Sequence, residues 1–182
     1  MSNIVLISGS PSLFSRSNQI LSYLGAKLKE EEQFSVSHIL VNEIPLEDLF
    51  YGKYDSETIK KIAKQIQEAK GVIIASPVYK ASYPGVLKAL LDILPQDIFK
   101  SKPVFPIMTG GSPNHLLAIE YTLKPLISIL KGHSLQGVYI LDSQINTEYK
   151  NPIIDDDIKR RIELQIGYFI EAIREGKISI PQ

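Results

Sequence analysis

Five serines lie within ten residues near the start of the chain, in the stretch LISGSPSLFSRSN at residues 6–18. Hydroxyls and backbone N–H groups that converge at the start of a helix form a site for an anion such as phosphate. The stretch contains neither G-x-x-x-x-G-K-S/T nor G-x-G-x-x-G, which argues against a P-loop nucleotidase and a conventional dinucleotide-binding turn. The spacing therefore favours a phosphate site rich in hydroxyls, and the alternative is a helix cap inside a polar turn.

The stretch SPVYKASYPG at residues 76–85 has the composition expected of a surface for a flat ring. Pro77 and Pro84 each restrict the preceding residue to extended backbone. A stiff backbone beside Tyr79 and Tyr83 suits a flat heterocycle, because backbone groups can bind its edge while apolar side chains cover its face. The alternative is a stiff turn whose tyrosines pack locally.

Two adjacent glycines, Gly110 and Gly111, occur in the stretch TGGSPNH at residues 109–115. Glycines allow a ligand to approach the backbone closely, or allow a positive φ. His115 follows at the predicted start of a helix, where it either contacts a ligand or packs as an ordinary side chain. The other two histidines show no spacing typical of metal ligands, so no metal site is predicted.

The elements that must position these stretches alternate between short apolar runs and helical periods. Strands are predicted at 3–8, 34–40, 71–76, 103–109 and 137–142, helices at 17–30, 56–70, 84–94, 114–132 and 155–176, and a short helical turn near 45–50. This alternation predicts an α/β fold with one domain over residues 1–182: a doubly wound, five-stranded parallel sheet in the order 2-1-3-4-5, with helices on both faces. Such sheets bind ligands beyond the carboxyl ends of their strands, and the three stretches follow the first, third and fourth strands.

The composition narrows the classes of function. Lys plus Arg equals Asp plus Glu at 20 each, and the zero net charge gives no argument for nucleic acid or an anionic membrane as a partner. The absence of cysteine removes disulfides, thiolate catalysis and Cys-ligated metals. There is no signal segment and no apolar run approaching the ~18 residues of a membrane span, so a cytoplasmic location is expected.

One phosphate and one isoalloxazine ring fit the three loops better than a dinucleotide does, which indicates FMN. The segments SGSPS…SRSN, SPVYKASYPGVLKALLD and TGGSPNHLLAIEYTLKP resemble the NADPH-dependent FMN reductases of the flavodoxin-like superfamily, over roughly residues 3–145. The resemblance is greatest to the reductase component of two-component alkanesulfonate monooxygenase systems. The middle segment is the most specific of the three.

The resemblance implies a set of flavin-binding residues. Those matching the family's phosphate loop are Ser10, Ser15, Ser17 and Asn18; those along the isoalloxazine are Pro77, Val78, Tyr79 and Lys80; those on the other side of the ring are Thr109, Gly110, Gly111 and His115. Many relatives carry an Arg near position 12, where this chain has Ser12, and Arg16 is the candidate replacement cation.

The resemblance also implies an activity: transfer of hydride from NADPH to N5 of FMN, with reduced FMN passing to a partner monooxygenase in sulfur assimilation. No side chain need act as acid or base, and backbone donors near 78–80 and 110–111 are expected to stabilise charge on the reduced ring. One alternative is a quinone or azo-type reductase with FMN as a bound prosthetic group. Another is a flavodoxin-like electron carrier, against which the zero net charge counts.

Pro125 predicts an irregularity in the helix at 114–132. Proline cannot donate to the carbonyl of residue 121, so the helix should kink or form a bulge at Tyr121, and a π-bulge is one permitted outcome. The segment is apolar on nearly every side, which indicates an oligomer interface. The resemblance implies a homotetramer, a dimer of dimers, with Tyr121 at a subunit interface beside the flavin.

Overall fold

The protein is described by a computed structural model that covers residues 2–30 and 34–176. The strands in these residues are β1 (Ser2–Ser8), β2 (Phe34–Leu40), β3 (Gly71–Pro77), β4 (Pro103–Gly110), β5 (His133–Ser134) and β6 (Val138–Leu141). The helices are α1 (Arg16–Glu30), α2 (Leu46–Phe50), α3 (Glu57–Glu68), α4 (Gly85–Ile93), α5 (Lys124–Ile129) and α6 (Asp156–Glu175). Each predicted element therefore has a counterpart, and the largest departures lie in the last strand and the fifth helix.

The sheet is parallel, and its strands follow the order β2-β1-β3-β4-β5, with β6 also paired to β4. Successive side chains of a strand point to opposite faces. Val5 and Ile7 thus pack in a core with α3, α4 and α5, whereas Ile4 and Leu6 pack in a second core with α1 and α6. Helices cover both faces, which explains why the central strands are apolar throughout and confirms the predicted doubly wound fold.

In the sheet, the place beside β4 that the predicted fifth strand should fill is taken by two short strands. β5 pairs with the beginning of β4, and β6 pairs with its end. The break lies beside Pro106. The N–H of Leu135 bonds to the oxygen of Val104 at 2.9 Å, and alternation turns the nitrogen of Pro106, which carries no proton, to the same edge. Gly137, at φ 83°, bridges the break, where a Cβ would lie 2.9 Å from the Pro106 oxygen.

The helix predicted at 114–132 is divided in the structure. A 3-10 turn spans Pro113–His115, a π turn spans Ile119–Leu123, and only Lys124–Ile129 is α-helical. The N–H of Lys124 bonds to the oxygen of Ile119, five residues earlier, as a π turn requires. The kink or bulge predicted at Tyr121 is therefore present, and of these two outcomes the structure has the π turn.

Two helix caps hold the ends of helices on opposite faces. The Ser56 hydroxyl accepts from the Ile59 N–H at 3.2 Å at the start of α3. The Asp155 carboxylate accepts from the Ile158 N–H at 2.9 Å at the start of α6. Across residues 2–30 and 34–176, no helix is long and apolar enough to cross a membrane.

Candidate functional site

The loop after β1, residues 9–15, is folded around its own serines and is called the serine loop below. The Ser8 hydroxyl donates to the side-chain oxygen of Asn18 in the first turn of α1. The Ser10 N–H donates to the Ser8 hydroxyl at 3.3 Å, and the Ser12 N–H donates to the Ser10 hydroxyl at 3.2 Å. Asn42, at the end of β2, donates to the Ser12 oxygen at 3.2 Å. Side-chain hydrogen bonds of Ser8, Asn18 and Asn42 therefore fix the shape of the serine loop.

The serine loop forms one wall of a cavity of about 200 Å³ at the carboxyl edge of the sheet. Its lining residues come from the ends of four strands: Ser10, Ser12, Phe14, Ser15, Arg16, Pro77, Val78, Tyr79, Thr109, Gly110, Gly111 and Asp142. All three stretches singled out in the sequence thus meet at one place. A second cavity of about 570 Å³ adjoins the first and shares Phe14, Ser15 and Arg16 with it.

Four of the predicted site residues do not line this cavity. Ser17 is fully buried, and its hydroxyl lies 2.7 Å from that of Ser15, so it supports a lining residue. Asn18 accepts from Ser8, as described above. Lys80 and His115 lie in the turns that follow β3 and β4, outside the lining.

The loop after β3 is less extended than its prolines predict. Lys80 and Ala81 have left-handed backbone, at φ 50° and 67°, and the chain reverses between Tyr79 and Ser82, whose N–H groups each donate to the other's oxygen. The N–H of Val78 donates to the Thr109 oxygen at 2.7 Å. The backbone donors expected at 78–80 are therefore already used at Val78 and Tyr79, because the loop is bonded to β4 and to itself.

The glycine pair after β4 lies over Tyr139, a buried residue of β6. A Cβ built on Gly110 would lie 2.5 Å from the Tyr139 hydroxyl, so glycine is required there by close approach and not by a positive φ. The hydroxyl donates to the Ser112 oxygen at 2.6 Å and fixes the end of the loop. Burial, and then the charge of Asp142, raise the pKa of Tyr139, so it remains a neutral donor near pH 7.

Three lining residues were missed in the sequence: Ser12, Phe14 and Asp142. Phe14 lies inside the serine stretch and is almost fully exposed, and Asp142 directly follows the last strand. Arg16, in the first turn of α1, lies 3.7 Å from the Asp142 carboxylate. The position of Asp142 at a strand's carboxyl end was a usable signal, because that edge is where such sheets bind ligands.

The chemistry of the lining fits FMN. Serine hydroxyls and Arg16 at the start of a helix are donors suited to a phosphate. At the other end, the half-exposed Tyr79 and the loop residues Gly110 and Gly111 line the cavity, and an aromatic side chain beside exposed backbone suits a flat ring. The doubly wound sheet defines a flavodoxin-like protein, and the cavity at its carboxyl edge has a lining suited to a flavin.

The comparisons with known proteins make the assignment specific. Residues 2–147 match the family model described as NADPH-dependent FMN reductase. The chain is 37% identical over 179 residues to FMN reductase (NADPH) of Escherichia coli (strain K12), covering 98% of this chain and 93% of that protein. It is 30% identical to the NADH-dependent FMN reductase SfnE of Pseudomonas putida over 146 residues, which cover 79% of this chain and 78% of that one.

A solved structure, the apo form of the NADH:FMN oxidoreductase EmoB, has a TM-score of 0.86 and is 34% identical, over 94% of this chain and 90% of that one. The chain belongs to the NADPH-dependent FMN reductase family. It is an oxidoreductase whose flavin is FMN and whose reductant is NAD(P)H.

Proposed function

We propose that the chain uses FMN as an exchangeable substrate, reduces it with NADPH and supplies the reduced flavin to a partner monooxygenase. The observation that carries this proposal is the lining of the cavity at the serine loop, which combines three serines, Ser10, Ser12 and Ser15, with one cation, Arg16. That cation is shared with the carboxylate of Asp142. Neutral donors bind an anion less strongly than charged ones do, so this arrangement suits a phosphate that is held and then released.

The relatives support this reading through their names, which give FMN as the molecule reduced. Reduced FMN that leaves the chain can be used by another protein, and flavin-dependent monooxygenases form a class that requires it. The resemblance to the reductases of alkanesulfonate systems supports a partner of that class.

FMN, when bound, supplies the redox chemistry, because its ring accepts hydride at N5 from NADPH. The residues of the chain bind the flavin and orient it. Ser10, Ser15 and Arg16 hold the phosphate, and Ser17 orients the Ser15 hydroxyl. The loops at 77–79 and 109–111 enclose the ring, and no side chain acts as an acid or base.

The test uses the whole chain, which is treated as one FMN-binding domain. The protein is purified and then dialysed. We expect a colourless protein whose anaerobic NADPH oxidation rises hyperbolically with added FMN, and NADH is compared in parallel. A yellow protein with one FMN per chain, whose rate depends on an azo dye or quinone and not on added FMN, would contradict the proposal.

The second candidate function, reduction of an azo dye or quinone by bound FMN, has one specific support. The chain is 26% identical over 162 residues to the NADPH azoreductase of Bacillus sp. (strain OY1-2).

The partner is tested separately. A flavin-dependent alkanesulfonate monooxygenase should oxidise its substrate only when this chain, NADPH and FMN are all supplied. Turnover at the same rate with chemically reduced FMN replacing the chain is the positive control. Failure with the chain, when that control succeeds, would remove the monooxygenase from the proposal while leaving FMN reduction intact.

We propose that the outer face of the π turn and α5 forms a subunit interface in a homotetramer, a dimer of dimers. Ile119, Leu123 and Ile127 face the core, yet Tyr121 is 75% exposed and Ile129 66% exposed on the same segment. Leu116 and Leu117, just before the π turn, are also exposed. Several large apolar side chains exposed on one short segment are typical of a surface that another subunit covers. Sedimentation of the protein as a monomer of about 20 kDa would contradict this proposal.

A further inference from the structure

Asp142 brings a carboxylate into the same cavity as the serine loop. Its Oδ2 is 3.7 Å from Nη1 of Arg16. A Cβ built on Gly111 would lie 3.6 Å from the same oxygen, so the carboxylate is located between α1 and the loop after β4. The backbone fixes this position, because Asp142 begins a 3-10 turn directly after β6 and its carbonyl accepts from the Ile145 N–H at 3.3 Å.

The pair of Arg16 and Asp142 remains partly in water, with side chains 52% and 37% exposed. Exposed ion pairs contribute little to folding, because water screens them and holding two side chains in place costs entropy. The main effect of this pair is therefore expected on ligand binding in the cavity and not on the stability of the fold. The charge of the carboxylate also acts on Tyr139, beneath the Gly110–Gly111 loop. It is the second cause, after burial of the ring, of the raised pKa of Tyr139.

We propose that Asp142 limits the affinity of the chain for the phosphate of FMN. It pairs with Arg16 when no phosphate is bound, and it repels the phosphate when one is bound. The proposal rests on the proposed function, since it requires the flavin phosphate to bind at the serine loop. A doubly negative phosphate must displace the Asp142 carboxylate from Arg16 and then remain close to that carboxylate. The repulsion weakens the binding of FMN and accelerates its dissociation.

The test measures FMN binding to Asp142→Asn by quenching of flavin fluorescence, with riboflavin as the matched probe that lacks the phosphate. The amide keeps the size of the side chain and removes its charge. We expect FMN to bind roughly tenfold more tightly, and to dissociate correspondingly more slowly in stopped-flow displacement, while riboflavin affinity stays unchanged. The gain should shrink as salt is added, because salt screens partly exposed charges.

Two further variants control for trivial causes. Asp142→Glu keeps the charge and should retain the weaker, wild-type affinity for FMN. Asp92→Asn removes a carboxylate that pairs with Lys88 on α4, outside the cavity lining, and should leave FMN affinity unchanged. A gain in Asp92→Asn equal to that in Asp142→Asn would mean that net charge alone is responsible, and would overturn the proposal.

The outcomes separate this inference from the proposed function. If the wild-type chain binds FMN no better than riboflavin, the phosphate site at the serine loop is wrong, and the inference fails with it. If the wild type prefers FMN but Asp142→Asn binds FMN equally or more weakly, only the inference fails, and Asp142 instead positions Arg16. If Asp142→Asn tightens FMN and riboflavin alike, the carboxylate acts on the ring, and the inference fails as well.

Discussion

Replacing Gly110 with alanine would place a methyl group against the hydroxyl of Tyr139. The new Cβ would lie 2.5 Å from that oxygen, 3.4 Å from the ring carbon that carries it and 3.5 Å from the Cβ of Val78. Tyr139 is only 5% exposed, and its hydroxyl is bonded to the Ser112 oxygen at 2.6 Å. The ring is packed and its hydroxyl is held by this bond, so the contact can be relieved only by a shift of the ring, with loss of the bond, or by a shift of the loop.

The magnitude follows from the size of the overlap. Inserting one methyl into a packed site typically costs about 1–3 kcal/mol. Tyr139→Phe alone removes one hydrogen bond, which costs about 0.5–1.5 kcal/mol. In the double variant the clashing oxygen is absent and the nearest ring atom lies at 3.4 Å, an ordinary contact. The double variant should therefore be more stable than the sum of the single effects predicts, by about 1 kcal/mol or more.

The assay is urea unfolding of the wild type, both single variants and the double variant, with FMN titration of each folded protein. Gly110→Ala should also weaken FMN binding, because the displaced loop encloses the ring site. Gly85→Ala is the matched control, since a Cβ there has nothing within 4 Å. Strictly additive destabilisation, or a Gly110→Ala variant as stable as Gly85→Ala, would refute the close approach as the reason for the glycine.

Three further predictions concern other parts of the chain. Ser15→Ala should weaken FMN binding roughly tenfold without changing riboflavin binding, because it removes a donor to the phosphate, and equal losses for both flavins in a fluorescence titration would contradict this. Hydrogen bonds from the Ile158 N–H and from Gln144 lower the pKa of Asp155, so its charged form stabilises the fold above about pH 4 and that stability is lost as the pH falls further. Asp155→Asn, which keeps an acceptor but no charge, should flatten this acid loss in urea unfolding at stepped pH, and an unchanged slope would be the contrary result. Tyr121→Glu should shift sedimentation toward smaller species, whereas Tyr149→Glu, an exposed tyrosine away from the π turn, should not.

Much of the fold could be predicted because it rests on local rules. Apolar runs that alternate with helical periods identify the strands and helices, and the position of three loops at the carboxyl edge of a parallel sheet predicts that they meet at one place. An irregularity at Tyr121 was foreseeable for the same reason, since Pro125 lacks the N–H that an α-helix needs there, and the structure shows that it is a π turn.

Other features depended on contacts between distant segments. The break between β5 and β6 combines the missing proton of Pro106 with the positive φ of Gly137, which is visible only once the strands are paired. The N–H of Val78 is used by Thr109, so it is not the free donor that its loop position suggested.

The class of fold, the three loops and an irregularity in the predicted fifth helix follow from local sequence, because periodicity and the chemistry of proline and glycine act over a few residues. Which side chains share the cavity depends instead on tertiary contacts. The tertiary structure has two such effects. It placed Asp142 beside Arg16 although β3 and β4 separate β6 from β1 in the sheet, because α1 packs across β3 and β4. It also placed the Tyr139 hydroxyl beneath Gly110, since neighbouring parallel strands put their ends side by side.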